Sequence, residues 1–307
     1  MYLQFYHMSE MPFSLLPDTS FFYESDSYRE ALDVLIVAIR SGEGFVKVTG
    51  EVGTGKTMLC RKLLNLLTAD QFVTLYIPNP YMTPNQLRMA LADELGISYA
   101  SNGANDIISY QLLKDISQQL MEHHKQGKRV IICLDEAQAM PVETLEALRL
   151  LSNFETEKSK LLQIVLFGQP ELDERLDQQC NRQLKQRITF SYALHPVDRK
   201  NLPGYINHRL RIAGYQGGEL FSAKAMDQIY LASKGVPRII NTLCNKALIL
   251  AFGQGHNNVA RKHVELAIAD TDHIPPAHTK KIIFLATIFL ASITLIITIV
   301  LIWGLAQ

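Results

Sequence analysis

The sequence predicts an α/β fold in which a parallel β-sheet is sandwiched by helices, followed by a small all-helical domain and one C-terminal transmembrane helix. Three observations carry this reading. Short apolar runs of strand length recur at residues 45–49, 72–77, 130–134, 161–167 and 188–194, with helix-period segments separating most of them, the alternation that a helix-covered parallel sheet requires. After His195-Pro196 the segments 199–212, 223–233, 238–252 and 262–269 all have helical apolar spacing and no strand lies between them. From Ile282 to Leu305 no residue is charged, and a helix of that length, at about 1.5 Å per residue, covers a hydrocarbon core of roughly 30 Å.

Taken in order, residues 1–40 form an N-terminal segment that ends in an amphipathic helix carrying Leu32, Leu35, Ile36 and Ile39. The sheet domain occupies 41–196 and the helical domain 197–270. Residues 271–281 are a linker, where Pro275-Pro276 and the lack of an apolar stripe favour extended chain. Residues 282–305 are the span. Lys280 and Lys281, with Arg261 and Lys262 further back, flank its N-terminal end, which places residues 1–281 in the cytoplasm. The first residues lack the basic start and continuous apolar run of a secretory signal.

Lys plus Arg and Asp plus Glu each total 30 in 307 residues, for a formal net charge of zero. No global positive field is available to attract nucleic acid. Cys60, Cys133, Cys180 and Cys244 are widely spaced and form neither a CxxC nor a Cys/His cluster, so they read as reduced thiols in a reducing compartment. The histidines, His123-His124 included, show no ligand-like constellation.

Chemistry concentrates in two motifs. Gly50-Glu51-Val52-Gly53-Thr54-Gly55-Lys56-Thr57 matches GxxxxGK[ST] between an expected strand and an expected helix. Glycines let the backbone turn its N–H groups inward around phosphate oxygens at a helix N-terminus. Lys56 then reaches the outer phosphates and Thr57 ligates Mg²⁺, with the nucleotide-binding stretch ending at Met58. The second motif is the strand 129–134 followed by Asp135-Glu136, which looks like a Walker B motif. Asp135 is expected in the Mg²⁺ shell, and Glu136 is expected to orient and deprotonate the attacking water.

Further polar residues sit where such a site needs them. Gln169 emerges at a strand tip in Gly168-Gln169-Pro170, placed to position water, although a plain turn residue is the alternative. Arg238 opens a helix in Gly235-Val236-Pro237-Arg238 and is the candidate γ-phosphate sensor. Arg182 and Arg187 precede the last strand, where a protruding arginine of one subunit reaches a neighbour's nucleotide. Solvated surface charge is the alternative for both.

Together, residues 50–57, 134–138, 168–172 and 235–241 resemble the AAA+ ATPases of the ExeA/GspA type, and the resemblance extends over nearly the whole chain before the span. Pro12-Phe13, Pro17-Asp18 and Glu30-Ala31-Leu32 are similar to that family's N-terminal signature, which lies near the nucleotide base. The resemblance implies a P-loop NTPase (AAA+) fold with a helical lid, ATP and Mg²⁺ as ligands, and a homo-oligomer. It also implies work with inner-membrane components of a type II secretion or type IV pilus apparatus in a Gram-negative bacterium. ExeA-type proteins continue past their span into a peptidoglycan-binding region, whereas this sequence stops at Gln307, so the shorter pilus-type member is the expected match. Two other functions stay open: a DNA-associated ATPase like the transposition helpers, against which neutral charge and the span argue, and an ATP-gated scaffold with little turnover.

Overall fold

Strands that are apolar at nearly every position are stable only when both of their faces are covered. The computed structural model, which describes residues 2–99 and 105–271, shows this arrangement. Strands β1 Phe45–Thr49, β2 Phe72–Ile77, β3 Arg129–Leu134, β4 Leu162–Gly168 and β5 Ile188–Ala193 form one sheet in the order β2-β3-β4-β1-β5. Every pairing is parallel. The period of two sorts the side chains. Val130, Ile132, Leu134, Ile164 and Leu166 enter one core with Leu87, Leu91, Leu112, Ile116, Leu120 and Leu148 from helices Pro84–Glu94, Asn105–Lys125 and Val142–Leu151. Ile131, Cys133, Val165 and Phe167 enter the opposite core with Leu35, Ile39, Leu59 and Leu63 from helices Asp26–Arg40 and Lys56–Leu66.

Polar residues in this frame hold helix ends. Gln163, buried on β4, donates to Ile39 O at 3.1 Å and Glu43 O at 2.9 Å, and Arg129 donates to Ile39 O and Arg40 O at 3.0 and 2.8 Å. A guanidinium at a helix C-terminus satisfies orphan carbonyls and opposes the negative end of the dipole.

The chain folds as two units. One comprises residues 15–212 and 236–238, and the other residues 2–14, 213–235 and 239–271. Helix Leu202–Ile212, expected at the start of the helical domain, groups with the sheet. There the Arg209 guanidinium lies 4.9 Å from the Phe21 ring centre, and Tyr205 packs edge-on to Tyr23 at 5.9 Å.

The second unit contains helix Ala223–Ser233, the Ile239 onward part of Pro237–Gly253, and Arg261–Ala269. Its core pairs Phe13 edge-on with Phe221 at 5.9 Å, and Phe221 bridges to Val259. An N-terminal turn Tyr2–Phe5 is tied down by Tyr2 Oη donating to Asn245 Oδ1 at 3.0 Å and Tyr6 Oη to His256 O at 2.9 Å.

Among the described residues no helix is long and apolar enough to cross a membrane. The expected span at 282–305 and, apart from Thr271, the linker at 271–281 lie outside the described residues.

Candidate functional site

β1 ends at Thr49 and the chain loops through Gly50–Gly55 into helix Lys56–Leu66, with Gly55 at its N-cap. Gly53 and Gly55 hold φ of +80° and +93°, a conformation strained for any residue with a Cβ. Neighbours close the same positions. A Cβ on Gly53 would lie 2.7 Å from Arg238 Cβ, and one on Gly55 would overlap the Tyr28 hydroxyl. That hydroxyl, on helix Asp26–Arg40, donates to Thr54 O. Burial raises the pKa of the Tyr28 phenol, which therefore stays a donor. Arg238 N–H donates to Gly53 O at 3.2 Å, and Thr54 Oγ1 to Glu51 O at 2.8 Å. The loop is thus fixed from two sides. No side chain caps the helix that follows, so its first N–H groups and dipole face an anion without a competing carboxylate.

Lys56 Nζ donates to Gly50 O at 2.7 Å and Glu51 O at 3.0 Å. Burial lowers its pKa, while Glu136, Asp135, Glu51 and Glu171 oppose that shift. Phosphate charge beside the ammonium acts in the same sense as those carboxylates. Glu51 and Val52 are exposed on the loop, and Met58 packs against the sheet core.

Thr57 Oγ1 lies 2.5 Å from Asp135 Oδ2 and donates to it. Asp135, at the end of β3, is 2% exposed. Burial raises its pKa, Glu136 adds to the rise, and the Thr57 hydroxyl and the Glu136 N–H counter it. A hydroxyl and a carboxylate in contact suit Mg²⁺, which takes oxygen ligands and usually binds through one or two protein groups with phosphates and water. Among the described residues there is no group of three His, Cys, Asp or Glu able to hold a metal alone. The donor set therefore fits a cation that arrives with nucleotide.

Glu136 occupies the left-handed region at φ +54°. Its Oε2 accepts from Gln138 Nε2 at 2.5 Å and from Gln169 Nε2 at 3.1 Å. Gln138 Oε1 in turn accepts the Gln169 backbone N–H at 3.0 Å. β4 lies between β1 and β3, so the phosphate loop, the two acids and Gln169 follow three neighbouring strands at their carboxyl ends, where open α/β sheets place ligands.

The structure thus brings together Lys56, Thr57, Asp135, Glu136 and Gln169, with Arg238 against the loop. It places Arg187 elsewhere: its Nη1 donates to Arg149 O at 3.0 Å and to Ser152 Oγ, at the end of helix Val142–Leu151. Arg182 is exposed at the start of the single turn Arg182–Lys185. Tyr28 was not singled out by sequence, and Gln138 appeared only inside a motif.

A family model described as an AAA domain matches residues 39–176. The chain is 40% identical over 274 residues to General secretion pathway protein A of Aeromonas hydrophila, covering 89% of this chain and 49% of the relative. The chain thus spans about half the length of the curated relative it matches. Among solved structures, Cdc6p from Pyrobaculum aerophilum superposes with a TM-score of 0.62 at 17% identity, covering 82% of this chain and 70% of that one. The Aeropyrum pernix ORC2 protein in its ADPNP–ADP complexes gives 0.59 at 15% identity, covering 80% and 67%. These structures share the fold. Residues 39–176 therefore match an AAA domain, and they hold the phosphate loop, the Asp135-Glu136 pair and Gln169 described above.

Proposed function

We propose that this chain is a membrane-anchored ATPase, an engine or switch for assembling a type II secretion apparatus or an MSHA-like type IV pilus, similar to the pilus biogenesis protein MshM. The observation that carries the catalytic part is the convergence of Lys56, the Thr57–Asp135 pair and the Glu136–Gln169 pair on one end of the sheet. Bound Mg–ATP supplies the electrophilic γ-phosphorus and the cation that neutralises its oxygens. The loop N–H groups and Lys56 hold the phosphates, and Thr57 and Asp135 supply metal ligands. Glu136 accepts the proton of the attacking water, Gln169 orients it, and Arg238 reports the state of the outer phosphate to the helix it opens.

The secretion or pilus assignment is supported by likeness to General secretion pathway protein A and by the apolar run 282–305, which we assign as a single inner-membrane span with the ATPase in the cytoplasm. The proposal includes a homo-oligomer in which Arg182 or Arg187 of one subunit reaches the nucleotide of its neighbour, and likeness to the AAA domain supports it. Zero net charge favours this reading over a DNA-bound one.

The test is ATP turnover by the full chain in detergent. Lys56→Ala should abolish nucleotide binding, whereas Glu136→Gln should bind ATP normally and hydrolyse it at least ~100-fold more slowly. Wild-type turnover in both variants would refute the assignment. In cells, the same two variants should fail to restore secretion or surface pili to a deletion strain, and full restoration would remove the apparatus from the proposal.

A further inference from the structure

The Gln138 carboxamide does more than fill the turn after the two acids. Its Nε2 donates to Glu136 Oε2 at 2.5 Å while its Oε1 accepts the Gln169 N–H at 3.0 Å. One planar group thus spans from the acid after β3 to the backbone at the tip of β4. The Gln169 side chain closes the ring by donating to the same Glu136 oxygen at 3.1 Å. Both amide donors converge on Oε2, and among the described residues no donor reaches Oε1. Lone pairs on Oε2 are committed, so Oε1 is the oxygen left to accept a proton.

The backbone makes this fixation necessary. Glu136 sits at φ +54° outside regular structure, where a carboxylate on a short stem has several rotamers available. Gln138 lies in the single 3₁₀ turn Ala137–Ala139 and folds back to reach it. Gly168 keeps the approach open, since a Cβ there would stand 3.4 Å from Gln138 Oε1 and 2.7 Å from Leu172.

The geometry points to Gln138 as a positioning residue that holds Glu136 by one oxygen and couples its orientation to the tip of β4. This rests on Glu136 being the base for water. Reach and donor pattern are both specified: Asn is one methylene short of spanning both partners, and Glu in the same shape can keep the Gln169 N–H bond but sets a negative charge against Glu136.

The experiment uses the full chain carrying Gln138→Glu, Gln138→Met or Glu136→Gln. Three readouts are taken: kcat and KM for ATP, affinity for a fluorescent ATP analogue, and hydrogen exchange of the Gln169 amide without nucleotide. Gln138→Glu should lower kcat about tenfold or more, with KM and analogue affinity within about twofold and Gln169 exchange unchanged. Gln138→Met should lower kcat likewise and accelerate Gln169 exchange, having lost both bonds. Wild-type kcat in Gln138→Glu, or a rise in KM that accounts for its loss of activity, overturns the positioning role. Unreduced turnover in Glu136→Gln overturns the base assignment instead, so the two failures are distinguishable. If Gln138→Met does not fold, Gln138→Glu decides alone.

Discussion

Gly55 answers two demands at once: its φ of +93° excludes side chains on conformational grounds, and the Tyr28 hydroxyl fills the space a Cβ would take. Gly55→Ala should therefore lose nucleotide binding and stability together. Tyr28→Phe separates the two, because it keeps the ring and deletes only the bond to Thr54 O. We expect it to reduce unfolding free energy by about 0.5–1.5 kcal/mol and to raise KM for ATP severalfold. Urea denaturation and steady-state kinetics check this, and an unchanged KM would mean that the bond does not shape the loop. At this scale the phosphate loop and Asp135-Glu136 were legible because their chemistry lies in consecutive residues. Tyr28 was not, since its partner lies on the far side of a helix and a strand and no local pattern marks the meeting. Arg187 was read as a protruding side chain from its place before a strand, but the carbonyl of Arg149 that it engages becomes a neighbour only on folding.

Helix Arg261–Ala269 starts without a Ser, Thr, Asp or Asn cap; instead His263 Nδ1 accepts the Ala260 N–H at 3.0 Å. The ring is fully buried and its Nε2 has no hydrogen-bond partner among the described residues. Burial lowers its pKa, and Lys262 and His256 add to the fall. The unfolded chain then binds the proton more readily than the folded one. The stability tied to neutral His263 is complete above the unfolded value of about 6.5 and is lost as pH falls below it toward the folded value. Thermal unfolding of the wild type should weaken from pH 7.5 to pH 5.5. His263→Gln, which keeps an acceptor in the same place, should show a shallower slope, and an equal slope would assign the loss to other groups. The strands were legible to within a residue or so because each apolar run is bounded by turns or charged residues. The partner of helix Leu202–Ile212 was not, because an apolar stripe says that a helix is covered without saying by what. Phe21 and Tyr23, which cover it, lie far earlier in the chain.

For the whole molecule, the shared-site proposal makes two arginines behave differently. Arg187 anchors the end of helix Val142–Leu151 within its own chain, so Arg187→Ala should destabilise the fold by about 1–3 kcal/mol, as expected when a buried partner is left unpaired. Exposed Arg182 makes no bond of that kind among the described residues, and Arg182→Ala should leave stability within about 0.5 kcal/mol. If Arg182 is the residue that reaches a neighbour, its alanine variant should lower turnover by roughly 100-fold or more and flatten the rise of specific activity with protein concentration. Normal turnover in Arg182→Ala would return that role to Arg187. The allocation of residues 2–14 to the unit that holds helices Ala223–Ser233 and Arg261–Ala269 was not legible in the sequence, because it depends on single bonds such as Tyr2 to Asn245.

The position of β1 in the sheet also sets a timetable for biosynthesis. Phe45 pairs with Ile164 on one side and Ile188 on the other, so the strand that launches the phosphate loop is made early and finds both neighbours late. At roughly 5–20 residues per second it leaves the ribosome on the order of ten seconds before β5 is complete. During that interval its apolar faces and unpaired edges are open to wrong partners. A fragment that ends before Ile188 keeps the intact nucleotide motif yet lacks the strand that covers the free edge of β1, and such a fragment should accumulate as aggregate.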